Sequence, residues 1–467
     1  MTEFDNYQSP FSWRYASEEM RQIWSETNKR KLWRRIWVSL ATVQSEFGLV
    51  SPIQVKELQL HATDIDVDAA LKIEAEIHHD LMAELKTFAA QCPLAGGIIH
   101  LGATSMDIED NADAIRLAQS LDRIIASLGG LLAILADRIE ETADLTVMAF
   151  THIQPAEPST FGYRLSMYAQ DLLVDWENLY AARENLHGKG FKGAVGTAAA
   201  YGDLLGVGNL RRFEERLSEE LGMAFFPVAT QTYTRKQDYT ILSALAGLGA
   251  SLHKFAFDLR LLQTPPIGEV SEYFAEKQVG SSAMPFKRNP INAEKVDSLA
   301  RLLAVYPQVA WQNAANSLLE RTLDDSANRR TILPEAFLTA DEMLRVMTRL
   351  VGKLTVHRET IRQNLEIYAP FACTERVMMA AAGKGGDRQV LHERLREHAL
   401  ASWEAVRAGQ PNPLISRLKA DDEIRLLVSA EEIDRLADVS SYTGIAAAAS
   451  MELASHIRVS ITNRSGG

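Results

Sequence analysis

Long stretches without proline constrain this chain more than any other feature. Proline is absent from Leu94 to Gln154, from Ser159 to Phe226 and from Val228 to Thr264. Such windows permit very long helices, because proline removes a backbone donor and clashes with the preceding turn. In the first window apolar residues recur at three- and four-residue steps: Leu117, Leu121, Ile124, Leu128, Leu131, Leu135 and Ile139. This spacing forms one helical stripe, and since no convincing alternating strand pattern appears, the chain is predicted to be all-α with an elongated central bundle.

The length of the chain predicts more than one domain. A chain of 467 residues exceeds what a single compact core usually holds. Composition suggests an N-terminal helical domain over 1–104, a central long-helix domain over 105–356 and a C-terminal helical domain over 357–467.

Charge and cysteine content exclude several classes of protein. The 61 acidic side chains outnumber the 49 basic ones, giving a formal charge of −12, which argues against a nucleic-acid partner. Cys92 and Cys373 are the two cysteines and have no metal-ligand spacing, so a reducing compartment is favoured. The N-terminus lacks a signal pattern, and no uninterrupted apolar run reaches membrane length. We expect a cytoplasmic protein with no membrane partner.

The segment VGSSAMPFKRNP, residues 279–290, suits neither helix nor strand. Gly280 lets it bend, while its two prolines limit its conformations. Lys287 and main-chain N–H groups could stabilise a serine alkoxide once water is excluded, and Asn289 could donate to a carboxylate. An exposed, positively charged connecting loop without a catalytic role would account for these residues equally well. The residues alone therefore predict a mobile loop and leave its role open.

A second candidate is the segment THIQPAEPSTFG, in which His152 precedes a proline-interrupted turn. Ser159 or Thr160 could cap the helix that follows. A histidine titrates near neutrality and can act as a general acid or base. A histidine that only caps a helix or fills a gap is an equally good interpretation.

Histidines also occur in HHDLMAELKTFA, where His78, His79 and Asp80 begin a helical pattern. A metal site is the weaker hypothesis, because adjacent histidines point in different directions on a helix and no HExxH spacing is present. Substrate contact or a capped helix is favoured.

Two further segments are candidates for binding anions. His100, Thr104 and Ser105 occupy a glycine-containing turn before a long helix. Main-chain N–H groups at a helix start suit a carboxylate or phosphate. An ordinary helix N-cap would have the same residues. In ERTLDDSANRRTIL, residues 320–333, Ser326 and Arg330 would share a helix face. Arg321 could pair with Asp325 in an exposed ion pair. A solvated charged face is the usual explanation, but a polyanionic substrate would need such arginines.

Taken together, these segments carry a family resemblance. GSSAMPFKRNP resembles the signature loop of the fumarase/aspartase superfamily, and its SSAMP and KRNP forms resemble the animal-type branch that cleaves succinylated purine ribotides. HDLMA, GGIIHLGATS, FTHIQPAEPSTFG, QTYTRK and ERTLDDSANRR follow in the expected order, so the resemblance covers nearly the whole chain. It implies three helical domains, a homotetramer with active sites assembled from three subunits, and no cofactor or metal.

The resemblance also implies an activity and residue roles. The expected reactions release fumarate from adenylosuccinate, giving AMP, and from the succinyl-carboxamide ribotide SAICAR, giving AICAR. Ser281 would be the general base, His152 the general acid supported by His100, and Lys287 and Asn289 would stabilise the carbanion as an aci-carboxylate. Residues matching positions that bind the succinyl or leaving group are Thr104, Ser105, Thr151 and Gln231. Residues matching positions on the nucleotide and phosphate side are Arg14, Tyr15, His79, Asp80, Arg321, Ser326 and Arg330.

Two departures and two rival functions accompany this interpretation. His78 and Lys295 stand where the animal-type branch tends to have arginine, which could change nucleotide affinity because lysine lacks the bidentate fork. Another fumarate-releasing enzyme, such as argininosuccinate lyase, is the nearest rival, and the KRNP and TLDDSANRR segments disfavour it. A non-catalytic helical protein that kept the fold is the other, and the joint presence of Ser281, His152 and Lys287 argues against it.

Overall fold

The computed structural model describes residues 5–465, which form twenty α-helices, three short 3₁₀-helices and four short strands. These residues belong to two compact units. The first unit comprises residues 1–128, 175–250 and 298–345, and the second comprises residues 129–174, 251–297 and 346–467, less the few terminal residues not described. The division falls within helices, and the three domain ranges proposed from composition remain a prediction.

Helices make up most of the described residues, and the few strands are short. The helices before residue 145 are α1 Pro10–Trp13, α2 Glu18–Ile23, α3 Glu26–Glu46, α4 Pro52–His61, α5 Val67–Ile77, α6 Asp80–Gln91 and α7 Ser105–Glu141. The elements from there to residue 262 are β1 Thr146–Thr151, β2 Gln154–Thr160, α8 Phe161–Glu184, α9 Ala199–Leu205, α10 Leu210–Leu221 and α11 Lys236–Leu262. The next are β3 Val270–Ser271, α12 Ile291–Leu303, α13 Tyr306–Asn316, α14 Ser326–Gly352, β4 Thr355–Val356 and α15 Arg358–Gly383. The last are α16 Arg388–Arg407, α17 Leu414–Ala420, α18 Asp422–Leu427, α19 Ala430–Ala437 and α20 Ala446–Ser465. The 3₁₀-helices are Gly96–Ile98, Val207–Asn209 and Val439–Ser441.

The all-α prediction is confirmed. Each proline-free window contains at least one long helix: α7 has 37 residues, α8 has 24 and α11 has 27. Every member of the stripe from Leu117 to Ile139 is fully buried, as the three- and four-residue spacing requires. Sequence reasoning missed two short antiparallel pairs, β1 with β2 and β3 with β4.

The first unit has an apolar core in which α3, α6 and the start of α7 take part, with Trp37 and Phe88 among its members. A buried charge cluster lies in the same unit. Glu84 on α6 accepts from Arg30 at 3.0 Å and from Arg34 at 2.6 Å, and each of the three side chains is at most 1% exposed. Because removing one partner leaves the others charged and buried, this cluster is important for stability.

Glu84→Gln is expected to destabilise the first unit by about 3–5 kcal/mol, the usual cost of breaking a buried ion pair. Chemical denaturation followed by circular dichroism measures the loss. Glu215→Gln is the matched control, because Glu215 pairs with Arg211 on the exposed surface of α10, where an ion pair contributes little. Equal unfolding midpoints for the two variants would contradict this assignment.

In the second unit, the last helices enclose an apolar core of their own. Cys373 and Val377 on α15 pack with Leu391, Leu414 and other apolar side chains up to residue 433. Elsewhere in this unit, Arg164 donates to Glu269 at 2.5 Å and to the Met148 carbonyl at 2.6 Å, which ties α8 to β1 and to the residue before β3.

By length and composition alone, α7 and α11 are long and apolar enough to cross a membrane, and 50% and 44% of their apolar stretches are buried in the protein. Core helices of soluble proteins share these properties, so this feature alone does not indicate a membrane protein.

Candidate active site

The signature segment 279–290 lies between β3 and α12 and contains no helix or strand, as its sequence predicts. Ser281 is half-buried, and its Oγ accepts from the main-chain N–H of Met284 at 3.1 Å and of Ala283 at 3.4 Å. These contacts make Ser281 the cap of a short turn. N–H donors of the same kind would also stabilise an alkoxide on Oγ.

Gly280 is required at its position in this segment, because a Cβ there would clash with the carbonyl oxygen of Lys287. The side chain of Asn289 donates to the carbonyl of Gly280 at 3.3 Å. The segment therefore closes on itself and brings Lys287 and Asn289 back beside the first serine. The Lys287 side chain is exposed.

Two side chains outside the segment, Gln263 and Glu272, hold main-chain groups on either side of it. Gln263 accepts from the N–H of Glu272 at 2.9 Å and donates to the carbonyl of Arg288 at 3.1 Å. The Glu272 carboxylate accepts from the main-chain N–H groups of Asn292 at 3.1 Å and Ala293 at 2.7 Å, which are unpaired donors at the start of α12. The stretch between Glu272 and Arg288 is thus anchored at both ends.

His152 lies at the tip of the hairpin formed by β1 and β2, where Thr151 pairs with Gln154. The sequence predicted a proline-interrupted turn here, and the structure corrects this to a two-residue hairpin turn. His152 and Ile153 both have positive φ, 54° and 61°, as the favoured hairpin turn requires. Such a conformation is strained for a β-branched residue. It leaves Thr151 and His152 exposed to solvent. Thr160 caps α8 as predicted, accepting from the Tyr163 N–H at 3.2 Å.

The start of α7 is held by Asp107. This buried carboxylate accepts from the Thr104 N–H at 3.0 Å, from the Gly193 N–H at 3.2 Å and from the Lys189 ammonium. Ser105, the first residue of α7, lies 3.4 Å from the Nε2 of His79. Ser105 and His79 thereby lie close together, and because the Thr104 N–H is bonded to Asp107, anion binding at this helix start remains a prediction.

His100 has a defined protonation state. Its Nδ1 accepts from the indole N–H of Trp37 at 3.0 Å, so the proton of the neutral ring lies on Nε2, since an indole nitrogen only donates. Burial lowers the pKa of His100. The residue is therefore a neutral donor and not a cation.

His78 and His79 do not begin a helix together, as the sequence suggested. His78 ends α5 in a left-handed conformation with φ of 54°. His79 is the N-cap of α6, and its Nδ1 accepts from the Met82 N–H at 3.4 Å. The chain reverses between the two residues, which lets Asp80 start α6.

Four of the predicted residues line one cavity of about 130 Å³ in the first unit: Asp80, Arg321, Ser326 and Arg330. Arg330 donates to Asp80 at 2.8 Å. Ser326 is the first residue of α14, so Arg321 and Asp325 precede the helix. Their predicted ion pair exists at 2.7 Å, but it is not exposed: the two side chains are 17% and 7% exposed, because Arg235 also donates to Asp325.

The remaining predicted residues are not among those that line this cavity. The N–H of Gln231 donates to the carbonyl of Glu320 at 3.1 Å, which connects the QTYTRK segment to the ERTLDD segment. Arg14 ends α1 with an exposed side chain, and Tyr15 follows it, half-buried. Lys295 lies in the second turn of α12.

Comparison with known proteins identifies the family of this chain. The profile of the family described as Lyase matches residues 21–303, and that described as Adenylosuccinate lyase C-terminus matches residues 370–450. Adenylosuccinate lyase of Saccharomyces cerevisiae is 40% identical over 95% of this chain and 93% of its own. That of Schistosoma mansoni is 40% identical over 90% and 89%. The chain belongs to the adenylosuccinate lyase family.

Solved structures agree on the fold. The 3-carboxy-cis,cis-muconate lactonizing enzyme of Pseudomonas putida is similar with a TM-score of 0.86 and 25% identity, covering 98% of this chain and 100% of its own. A fumarate lyase of Mesorhizobium sp. BNC1 has a TM-score of 0.83 and 22% identity, covering 96% and 99%. Membership of the adenylosuccinate lyase family is thus accompanied by the all-α lyase fold.

For this member of the adenylosuccinate lyase family, sequence reasoning missed several residues around the site. Glu272 holds the start of α12, directly after the signature segment, Asp107 holds the start of α7, and Glu109 lines the cavity. Asp107 could have been noticed as an acid in the first turn of a helix. Glu272 and Glu109 have no sequence signal, because their roles depend on tertiary neighbours.

Proposed function

We propose that this chain cleaves the C–N bond of adenylosuccinate to give AMP and fumarate, and that of SAICAR to give AICAR and fumarate. Family membership supports the reaction type, since relatives up to 40% identical over most of the chain are adenylosuccinate lyases. It makes this chain a carbon–nitrogen lyase of purine biosynthesis.

One observation carries the proposal furthest: a cavity in the first unit gathers polar residues from separate parts of the sequence. Asp80 comes from α6, Arg321 from the segment before α14, and Ser326 and Arg330 from α14 itself. Arginine side chains and a hydroxyl at a helix start suit a phosphate, which accepts hydrogen bonds and favours the positive end of the helix dipole. We assign the phosphate side of the nucleotide to this cavity.

The reaction begins with removal of a proton from the succinyl Cβ. Ser281 is proposed to act as an alkoxide whose Oγ takes this proton and becomes a hydroxyl group. The electron pair left on carbon spreads into the neighbouring carboxylate, and Lys287 and Asn289 are proposed to stabilise that charge. The C–N bond then breaks, and the electron pair on carbon forms the double bond of fumarate.

The departing nitrogen needs a proton, which His152 is proposed to donate as general acid. The neutral His100, with its proton on Nε2, is proposed to support this acid. Thr104, Ser105, Thr151 and Gln231 are proposed to hold the succinyl or leaving group. The nucleotide side would further include Arg14, Tyr15, His78, His79 and Lys295.

The proposal also includes a homotetramer whose active sites are shared between three subunits, and a cytoplasmic location. Both come from the family resemblance.

Fumarate release tests the proposed function directly. The purified protein is expected to release fumarate from adenylosuccinate and from SAICAR, followed by the absorbance change, and to release none from argininosuccinate. Turnover of argininosuccinate would favour the rival lyase. Binding of AMP without fumarate release from either ribotide would favour a non-catalytic protein that has kept the fold.

A further inference from the structure

Glu109 on α7 differs from the other acidic residues of the cavity. The other three have a cation: Glu26 pairs with Lys29 at 2.7 Å, Asp80 with Arg330 at 2.8 Å, and Asp113 with Arg116. Glu109 lines the same cavity, but its side chain forms no hydrogen bond or ion pair within residues 5–465. A partly buried carboxyl group without a partner needs a reason to be there.

The surroundings of Glu109 favour its neutral form. Burial, reinforced by the charges of Asp80, Asp113 and Asp110, raises its pKa to about 8, and Arg330 acts in the opposite direction. The charged groups around the cavity come from α3, α6, α7, α14 and the segment before α14: Glu26, Lys29, Asp80, Asp110, Asp113, Arg116, Arg321, Arg329 and Arg330. At neutral pH most molecules therefore carry a proton on this carboxyl group.

Two buried donors on residues that line the cavity also lack partners. Nε1 of Trp24 and Nε of Arg116 are buried and form no hydrogen bond among the residues described, although the Arg116 guanidinium lies 4.8 Å from the centre of the Trp24 ring. The donors that line the cavity include those of Arg321, Ser326 and Arg330. Such a lining suits a ligand that only accepts hydrogen bonds.

We infer that Glu109 is a specificity-determining residue that binds the substrate's phosphate as a neutral acid, so that the phosphate and one proton occupy the cavity together. A protonated carboxyl group donates a hydrogen bond, whereas a carboxylate only accepts and would repel a phosphate dianion. The inference rests on the proposed function, because it places the phosphate beside Arg321, Ser326 and Arg330.

The test counts protons taken up when AMP binds. Calorimetric titration at pH 8, in two buffers of different ionisation enthalpy, is expected to give an uptake of about half a proton per site in the wild type, because about half of the free Glu109 is then ionised. Between pH 7 and pH 9 the Kd for AMP is expected to rise about tenfold, because the fraction of protein molecules with a protonated Glu109 falls about tenfold. Glu109→Gln keeps a donor and cannot ionise, so it should show no uptake and a flat Kd.

Glu26→Gln is the matched control, since Glu26 lines the cavity but is paired with Lys29, and it should keep the wild-type uptake. The same uptake in Glu109→Gln as in the wild type would overturn the inference. So would a wild type that takes up no proton at pH 8, a result that does not depend on how any variant folds. Fumarate release is scored separately, so a wild type that is active but takes up no proton contradicts this inference and leaves the proposed function standing.

Discussion

Ser281→Ala is expected to lower fumarate release from adenylosuccinate by about 10²–10⁴-fold, the usual contribution of a general acid or base. The change removes the Oγ that would accept the Cβ proton. It also removes the two main-chain contacts that Oγ makes with Met284 and Ala283. The Kd for AMP should change little, because the proposed phosphate contacts come from the first unit.

Ser282→Ala is the matched control for this experiment, because Ser282 is the adjacent serine and is exposed. Turnover, followed by absorbance, should stay close to wild type in this variant. If Ser282→Ala loses activity and Ser281→Ala keeps it, the base has been assigned to the wrong hydroxyl group. Normal turnover in both would remove the segment's serines from the chemistry.

His152→Asn is expected to lower turnover by a similar factor, about 10²–10⁴-fold, because the departing nitrogen would lose its proton donor. Asparagine is chosen because His152 has a positive φ of 54°, a conformation that asparagine tolerates better than most residues. The hairpin turn should therefore survive. His152→Ala should lose activity as well, with added strain in the turn.

The pH dependence of turnover distinguishes an acid from a residue that only shapes the hairpin. Loss of the acid should remove the fall in kcat at high pH that deprotonation of a general acid produces. Circular dichroism checks that the fold is retained. A His152→Asn variant with a near-normal rate and an unchanged pH profile would exclude this residue as the proton donor.

The helices could be predicted because their signals are local. The buried stripe on α7 follows from the spacing of apolar residues along the sequence, and the signature segment follows from its own glycine and prolines. The candidate residues of the cavity were named from motifs, but the cavity itself depends on α6 meeting the start of α14, which no local pattern encodes.

The errors have the same physical origin. The hairpin that carries His152 was read as a turn because β2 contains two prolines, Pro155 and Pro158, which strands tolerate only at edges and irregularities. The ion pair of Arg321 with Asp325 was expected on the surface, because its burial depends on Arg235, far away in sequence. No sequence pattern indicates a role for Glu109, because its pKa depends on groups on other elements as well as on its own helix.

The anchoring of the signature segment by Gln263 and Glu272 has an evolutionary consequence. Gln263 holds main-chain groups of Glu272 and Arg288, and Glu272 holds those at the start of α12, so these contacts place no demand on the identity of most residues between them. Mutation can then change residues within the signature segment while the main-chain contacts of Gln263 and Glu272 are retained. Lyases that descend from one ancestor could in this way come to catalyse different reactions without changes in the helices and side chains that hold the segment.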